Sequence, residues 1–219
     1  MIVIPDVHGH ADLFQAAVDA HPGETFALLG DLVNRGAQSV RCLEIARDLR
    51  RAGRLDALVV GNHDLLLLDA LSGNEAAVSV LRRVSDHTPL TAGLHPLELA
   101  GLAMEVYTPA VPWFPTVVNG QRAVLVHANL PPLDSHGNIT TTTSEEHFWN
   151  PVFRSRPLPA GVSVTVHGHS PLKYNADPYV RPDLIMLDNV SIYDGDRPGK
   201  PRKLNLLDTR TGVVSPVHS

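Results

Sequence analysis

The sequence predicts an α/β fold, and two features of its patterning indicate this. Short apolar runs rich in Val, Ile and Leu alternate with longer stretches whose apolar residues recur at spacings of three and four. Such runs are typical of strands buried on both faces, whereas the longer stretches are typical of amphipathic helices. Strand–helix alternation favours a parallel-type sheet with helices packed over it.

Five short apolar runs predict the central strands of this fold. In chain order they read "MIVIP", "FALLG", "ALVVG", "AVLV" and "VSVTV". Helices are expected at residues 11–20, 38–53 and 64–73, with Gly53 closing the second of them. A polar residue able to bind a metal follows each run. Because open α/β sheets bind ligands beyond the carboxyl ends of their strands, we expect these five ends to converge on one crevice.

The rest of the chain is less regular. Residues 72–121 contain a helix-like stretch at 74–86, followed by a segment rich in Pro, Gly and aromatic residues. We interpret 72–121 as an insertion over the site, suited to substrate selection, within a single domain spanning 1–219. Residues 129–160 are irregular. The end of the chain, from "DLIMLDN" to "TGVVS", predicts a strand pair with "TRTG" as its final turn.

Composition limits the partners and the location of the protein. The net charge is -5 and no long basic run occurs, so nucleic acid is not favoured as a partner. No apolar run approaches the roughly 20 residues that a membrane helix needs, and no signal peptide is recognisable. The single cysteine, Cys42, excludes an intrachain disulfide and is expected in the core. We therefore expect a cytoplasmic protein that acts away from membranes.

The first strand ends supply one set of candidate metal ligands. Asp6 and His8 are separated by one residue just past a strand end, where alternate residues point to the same side. They can therefore share one cation. Asp31 can bridge two cations because a carboxylate has two oxygens.

The later strand ends complete a second site with Asn62, His127 and His169. A mixed set of nitrogen and oxygen ligands suits Mn, Fe or Zn better than Mg or Ca, which prefer oxygen. We therefore expect two divalent metal ions as cofactors, manganese in the first place, with iron or zinc as alternatives. His167 is expected to support the ligands or the core and not to bind metal.

Two neighbouring metal ions would suit phosphoryl transfer. Metals about 3.5–4 Å apart clamp the reacting phosphoryl group and hold a hydroxide between them for attack at neutral pH. Arg35 adds a planar, two-pronged donor for the phosphoryl oxygens. His63, adjacent to Asn62, is placed to protonate the leaving oxygen as a general acid.

The motifs that carry these residues resemble those of the calcineurin-like metallophosphoesterase superfamily, in its phosphoprotein-phosphatase branch. They read "PDVHG" (5–9), "GDLVNRG" (30–36), "GNHD" (61–64), "VHANLPP" (126–132) and "HGHSP" (167–171). The length and the last two motifs are similar to those of compact bacterial and phage members, including bacteriophage lambda phosphatase and the symmetrical dinucleoside tetraphosphate hydrolases. The resemblance covers residues 1–72 and 122–172.

The resemblance implies central β-sheets arranged as a sandwich and flanked by helices, with a dimetal site at the strand ends. It implies that the first metal is held by Asp6, His8 and Asp31, and the second by Asp31, Asn62, His127 and His169.

The resemblance also implies that Arg35 binds phosphate and that His63 is the acid. The second phosphate-binding arginine of the family has no clear motif in this chain. Arg154 is favoured slightly over Arg156 for that role.

Asn34 departs from the family pattern, which has an aspartate there to pair with the catalytic histidine. Its side-chain oxygen can accept the hydrogen bond from His63 but brings no negative charge, so the pKa of His63 should be lower. The loss of acid assistance matters least when the leaving group is a nucleotide phosphate. Asp64 also departs from the pattern, since most protein phosphatases have glutamate there.

These observations favour an enzyme that cleaves dinucleoside polyphosphates, a metal-dependent phosphohydrolase acting on phosphoanhydride bonds. A serine/threonine phosphoprotein phosphatase, or a phosphatase of small phosphomonoesters, is the close alternative. A catalytically weak phosphate- or metal-binding regulatory module, damaged by Asn34, is the third. The substrate is thus a phosphorylated small molecule, a nucleotide or a phosphoprotein, and the sequence does not indicate an oligomeric state.

Overall fold

A computed structural model of the chain describes residues 1–85, 87–140, 146–149, 157–169, 178–187 and 203–218. Within these residues the strands form two five-stranded sheets. The strands are β1 (Ile2–Ile4), β2 (Phe26–Leu28), β3 (Leu55–Leu58), β4 (Trp113–Val118), β5 (Gln121–Val126), β6 (Val164–His167), β7 (Tyr179–Val180), β8 (Leu184–Met186), β9 (Lys203–Asp208) and β10 (Val213–His218).

The helices are α1 (Ala11–Asp19), α2 (Ser39–Arg51), α3 (Asn62–Leu71), α4 (Glu75–Val84), α5 (Pro96–Tyr107) and α6 (Glu146–Trp149), with a short 3-10 helix at Pro89–Thr91. The first four lie within two or three residues of the stretches that the sequence indicated. Within the described residues, no helix combines the length and the apolar character needed to cross a membrane.

The first sheet has the strand order β10-β9-β1-β2-β3 and the second has the order β4-β5-β6-β8-β7. In the first sheet β1, β2 and β3 are parallel, and the hairpin of β9 and β10 runs antiparallel beside β1. In the second sheet β5, β6 and β8 are parallel between two antiparallel edge strands. The predicted α/β class is confirmed, with two mixed sheets and helices around them.

Successive side chains of the short strands enter different buried clusters. Because both clusters are apolar, the strands appear in the sequence as continuous apolar runs. Val3 joins a buried cluster that also contains Leu125 and Val166 of the second sheet. Its neighbours Ile2 and Ile4 belong to another buried cluster, which includes side chains of α1, α2 and α5. Successive strand residues point to opposite faces, and in this sheet both faces are covered. The second sheet covers one face and the helices cover the other.

Besides the short 3-10 helix, two elements of residues 72–121 were not predicted. Helix α5 begins at Pro96 after a capping box formed by His95 and Glu98, which is an ordinary start signal. Strand β4 is joined to β5 by Asn119 and Gly120, whose φ values of 47° and 76° suit a tight hairpin turn.

The strand pair expected at the end of the chain needs a correction. The pair is β9 and β10, joined across residues 209–212. The run that includes Leu184–Met186 forms β8, which lies beside β6 in the second sheet. Both runs are short and apolar, so the sequence pattern alone could not assign them to different sheets.

Candidate metal centre

The ends of five strands meet at one edge of the sandwich, as the sequence indicated. The structure brings together the six side chains predicted as metal ligands, and five of them are almost fully buried. The six are Asp6 and His8 after β1, Asp31 after β2, Asn62 after β3, His127 after β5 and His169 after β6.

Asp31 lies between two groups of these side chains. Its Oδ2 atom is 3.5 Å from His8 Nε2 on one side and 3.5 Å from His127 Nε2 on the other. On the first side, His8 Nε2 is also 3.8 Å from Asp6 Oδ2. The carboxylate therefore has the position required of a bridge between two cations.

The second group is more tightly clustered. Asn62 Oδ1 lies 2.9 Å from His127 Nε2 and 3.0 Å from His169 Nδ1, and these two ring nitrogens are 3.2 Å apart. Metal–ligand bonds of about 2.1 Å place neighbouring ligand atoms about 3.0–3.4 Å apart. The spacing in this group is therefore close to that of a coordination shell.

Backbone carbonyls orient the three imidazoles toward the centre. One nitrogen of each ring contacts a backbone carbonyl oxygen: His8 Nδ1 with Val33 (3.0 Å), His127 Nδ1 with Leu29 (2.8 Å) and His169 Nε2 with Trp149 (3.3 Å). A ring N–H that donates to a carbonyl leaves the other nitrogen with a free lone pair. Burial is the main cause that lowers the pKa of His8 and His127 well below the usual range, so both are neutral.

The donor set therefore fits metal ions. Lone pairs of His127, His169 and Asn62 face one another at hydrogen-bonding distance, although none of these atoms then carries a hydrogen to donate. Such a cluster of acceptors is unfavourable by itself and is stabilised by a cation at its centre.

The backbone at this centre is unusual. Among the described residues, six that are not glycine have a positive φ, and five of them belong to the candidate site: His8, Asp31, Asn34, Arg35 and His169. Positive φ is uncommon outside glycine and is concentrated at functional sites. The turns after the strands thus adopt costly conformations in order to aim these side chains inward.

Two glycines leave space for the carboxylates of Asp31 and Asp6. A Cβ atom at Gly61 would overlap the side chain and backbone nitrogen of Asp31, and one at Gly168 would overlap Asp6 Oδ1. In addition, Asp6 accepts hydrogen bonds from the backbone nitrogen of His169, at 3.0 and 3.1 Å. Gly168 therefore allows the two sheets to approach at the centre, and Gly61 allows the turns after β2 and β3 to lie against each other.

Arg35 and His63 lie beside the candidate ligands. The Arg35 backbone N–H donates to Ser85 Oγ (2.9 Å), and its guanidinium charge contributes to the lowered pKa of His63, His8 and His169. His63 is stacked edge-on against His8, with ring centroids 4.8 Å apart, and one of its nitrogens comes close to His8 and Asp31. Arg154 and Arg156, the candidates for a second phosphate-binding arginine, lie outside the described residues.

Asn34 contacts His63 as expected, but through its other side-chain atom. The amide nitrogen Nδ2 lies 3.0 Å from His63 Nδ1, and the amide oxygen has no hydrogen-bond partner among the described residues. We expected the oxygen to accept from the ring. With the amide nitrogen donating, neutral His63 carries its proton on Nε2. Burial, followed by the charges of Arg35 and His169, lowers the pKa of His63 to about 3.

His167 is buried next to the candidate ligands, and its Nδ1 atom is 2.8 Å from the carbonyl of Ala128. Burial lowers its pKa to about 4. This position suits the supporting role expected from the sequence.

Sequence reasoning missed several residues that hold these turns in place. Asp64 accepts backbone hydrogen bonds from Asp31, Leu32 and Gly61, and Tyr107 donates its hydroxyl to the same carboxylate. Ser39 Oγ accepts from the Asn34 backbone N–H (2.9 Å). The sequence indicates that Asp64 departs from the family pattern but does not indicate a role for it. Tyr107 and Ser39 lie outside the motifs, so the sequence carried no signal for them.

Acceptor side chains gathered at the strand ends of a two-sheet α/β sandwich, with an arginine beside them, define the class of metallophosphoesterases. Residues 1–195 match the family described as calcineurin-like phosphoesterase, and the chain belongs to that family. Membership implies divalent metal ions, for which the clustered side chains are candidate ligands.

Two relatives are named symmetrical bis(5'-nucleosyl)-tetraphosphatase. The one from Baumannia cicadellinicola subsp. Homalodisca coagulata is 32% identical over 71% of this chain, and the one from Delftia acidovorans is 29% identical over 80%. This chain covers 50% and 58% of their respective lengths, so it spans about half of each.

The fold is also similar to that of a protein serine/threonine phosphatase from Saccharomyces cerevisiae, with a TM-score of 0.58 and 13% identity. That similarity covers 100% of this chain and 79% of the other. At this identity the similarity concerns the fold and does not distinguish between substrates.

Proposed function

We propose that the protein is a two-metal phosphohydrolase that prefers dinucleoside polyphosphates. The observation that carries the proposal is the cluster of inward-facing acceptor atoms divided by the shared carboxylate of Asp31. Asp6, His8 and Asp31 hold one metal, and Asp31, Asn62, His127 and His169 hold the other. Manganese suits this mixture of ligands, and iron or zinc are the alternatives.

The metals and the side chains have separate tasks in this proposal. When bound, the metal ions supply Lewis acidity that activates water and offsets charge on the phosphoryl oxygens. Arg35 binds and orients the phosphoryl group through its planar guanidinium. The Arg35–Ser85 hydrogen bond ties this arginine to the start of the loop after α4, which supports the role of residues 72–121 in substrate selection.

His63 would face the leaving group with its proton on Nε2 and without a net charge. A neutral imidazole is a weak acid, and Asn34 adds no carboxylate to favour the imidazolium. A serine alkoxide needs a proton in order to leave, whereas a nucleotide phosphate leaves with little assistance. Attack on a phosphoanhydride therefore suits this arrangement better than attack on a phosphoserine.

Two further observations support a nucleotide substrate. The relatives from Baumannia and Delftia are named for hydrolysis of dinucleoside tetraphosphates. Trp149 is 44% exposed, and its carbonyl oxygen is 3.3 Å from His169 Nε2, so the backbone of an exposed tryptophan lies next to the centre. Exposed aromatic rings beside a phosphate site provide a surface on which a base can stack.

The alternative functions predict different substrate preferences or turnover for the same candidate metal centre. A serine/threonine phosphoprotein phosphatase, or a phosphatase of small phosphomonoesters, would hydrolyse those substrates at least as well as a dinucleoside polyphosphate. A regulatory module weakened by Asn34, which the low pKa of His63 favours, would bind metal without turnover.

The test compares kcat/KM of the manganese-loaded protein for diadenosine tetraphosphate, a phosphoserine peptide and an aryl phosphate. We expect the tetraphosphate to be the best substrate and a chelator to abolish all turnover. Asp31→Asn should lower turnover at least about a hundredfold, because a carboxamide is a poor bridge between cations. Asp56→Asn, at an exposed carboxylate on β3, is the matched control and should have little effect.

Any other result of this comparison would contradict the proposed function. Faster turnover of the peptide or the aryl phosphate would transfer the assignment to a monoesterase. Metal binding without turnover of any substrate would favour the regulatory module. Turnover that survives both the chelator and Asp31→Asn would exclude the metal-dependent mechanism.

A further inference from the structure

The carboxylate of Asp64 connects two of the turns that form the candidate metal centre. It lies in the first turn of α3 and is fully buried. Its Oδ2 atom accepts from the backbone N–H groups of Asp31 (2.8 Å) and Gly61 (3.0 Å), and its Oδ1 atom accepts from that of Leu32 (3.0 Å). The turn after β2 and the turn after β3 are thus bound to one side chain.

A fourth hydrogen bond to this carboxylate comes from a distant part of the chain. Tyr107, at the end of α5, donates its hydroxyl to Asp64 Oδ1 at 2.7 Å across a separation of 43 residues. Tyr107 is 5% exposed, and its helix packs in the same core cluster as α1 and α2. Burial raises the pKa of the phenol well above its usual value, so the hydroxyl keeps its proton.

A movement of Asp64 cannot be absorbed locally. The Asp31 side chain is fixed on its other side, because Oδ1 accepts from the backbone N–H of His63 (2.8 Å). Gly61 packs against Asp31 so closely that even a Cβ atom would overlap it. A shift of the Asp64 carboxylate would therefore change the position of Asp31 and of the turn that carries Asn62.

We propose that Tyr107 is a positioning residue for the metal centre: its hydroxyl fixes Asp64, which in turn sets Asp31 and Asn62 in place for metal binding. This inference rests on the proposed function. Tyr107 acts through Asp64 and is not itself a proposed ligand. It couples helix α5, from the irregular part of the sequence, to the strand ends that carry the ligands.

The test measures manganese binding by calorimetry on purified, metal-free protein, so the readout does not depend on hydrolysis. Tyr107→Phe should bind manganese about tenfold more weakly, as is usual when a hydrogen bond behind the ligands is lost. Tyr179→Phe is the matched control, because it removes the same hydroxyl from the edge strand β7 of the second sheet. We expect its manganese affinity to equal that of the unmodified protein.

A double-mutant cycle identifies the route of the effect. Asp64→Asn should weaken manganese binding, and adding Tyr107→Phe to it should cause little further loss, because both changes act on one contact. Thermal unfolding in the presence of chelator measures how much each change affects the metal-free fold.

The outcomes separate this inference from the proposed function. If Tyr107→Phe lowers thermal stability in chelator but binds manganese as tightly as the unmodified protein, Tyr107 is merely structural and the inference is wrong. Additive effects of Tyr107→Phe and Asp64→Asn would also overturn it. If the unmodified protein binds no divalent metal, both the inference and the proposed function fail.

Discussion

At the scale of single residues, Asn34 has the largest effect on the proposed chemistry. A carboxylate at this position would stabilise the protonated, positively charged form of His63. Asn34 presents an uncharged amide there instead. Burial and the positive charge of Arg35 then act on His63 without any opposing negative partner of this kind, which explains why its pKa falls to about 3. The Asn34 side chain thus alters the proposed acid, His63, and leaves the proposed metal ligands unchanged.

Restoring the carboxylate should change the preference among substrates. In Asn34→Asp, the new carboxylate would accept from His63 Nδ1–H and stabilise the imidazolium, so the pKa of His63 should rise. We expect kcat/KM for a phosphoserine peptide, relative to that for diadenosine tetraphosphate, to increase about tenfold or more near neutral pH. The pH above which peptide turnover declines should move upward.

Asn34→Ala is the control for this prediction, since it removes the amide without adding charge. It should not raise the relative turnover of the phosphopeptide. An equal gain in Asn34→Ala and Asn34→Asp would mean that space, and not charge, limits the acid step.

At the scale of elements, the turns after the strands determine the site more than the strands do. The turn after β6 shows this, because Gly168 lies against Asp6 from the first sheet and the next residue, His169, donates its backbone N–H to that carboxylate. This short turn therefore helps to join the two sheets at the centre, together with the contacts of His127 with Leu29 and Asn62.

Gly168→Ala tests the importance of that contact. The φ of Gly168 is not positive, so alanine is not strained there, and the expected effect comes from the Cβ atom that would displace the Asp6 carboxylate. Manganese affinity measured by calorimetry should fall at least about tenfold. Gly101→Ala, in an open position on α5, is the matched control and should leave affinity unchanged while slightly favouring the helix. If Gly168→Ala bound manganese as tightly as the unmodified protein, Asp6 would not be a ligand of the metal.

The elements also show how far the sequence could predict the structure. The strands β1, β2, β3, β5 and β6 were predictable because each lies in a short continuous apolar run. The helices after the first three strands were predictable because each follows such a run as a longer stretch with many apolar residues. Helix α5 was not, since Leu97 and Met104 lie on its exposed face while Leu99, Ala103 and Val106 are buried. Apolar residues on both faces conceal a helical period.

The same reasoning applies to the candidate site. The six proposed ligands follow predicted strands, so a sequence pattern could place them together. Tyr107 lies 43 residues from Asp64 in a helix that the pattern concealed, and no local rule connects the two. The amide orientation of Asn34 depends on the packing around it, which sequence does not specify.

At the scale of the whole molecule, the first sheet shares one core with helices α1, α2, α3 and α5. Cys42 on α2 lies fully inside it, as the sequence indicated, and burial strongly raises the pKa of its thiol. A buried, protonated thiol is unreactive, since the thiolate is the nucleophile.

Labelling of Cys42 should therefore report unfolding of the whole core. We expect a water-soluble thiol reagent to modify native protein very slowly and to add one label promptly in denaturant. Asp48→Cys, at an exposed position on the same helix, provides a fast-reacting control that mass spectrometry can distinguish. Rapid native labelling of Cys42 would mean that α2 opens without global unfolding.

The pairing of β1 with β9 makes the first sheet depend on contacts between residues that are far apart in the sequence. Val3 pairs with Leu207, so a long stretch of chain must be enclosed before this pair can form. The carboxylate of Asp6 likewise meets the backbone of His169 only when both sheets are in place. We therefore expect metal binding to follow assembly of the two sheets, since a chain in which they are apart would carry the proposed ligands without a centre to hold them.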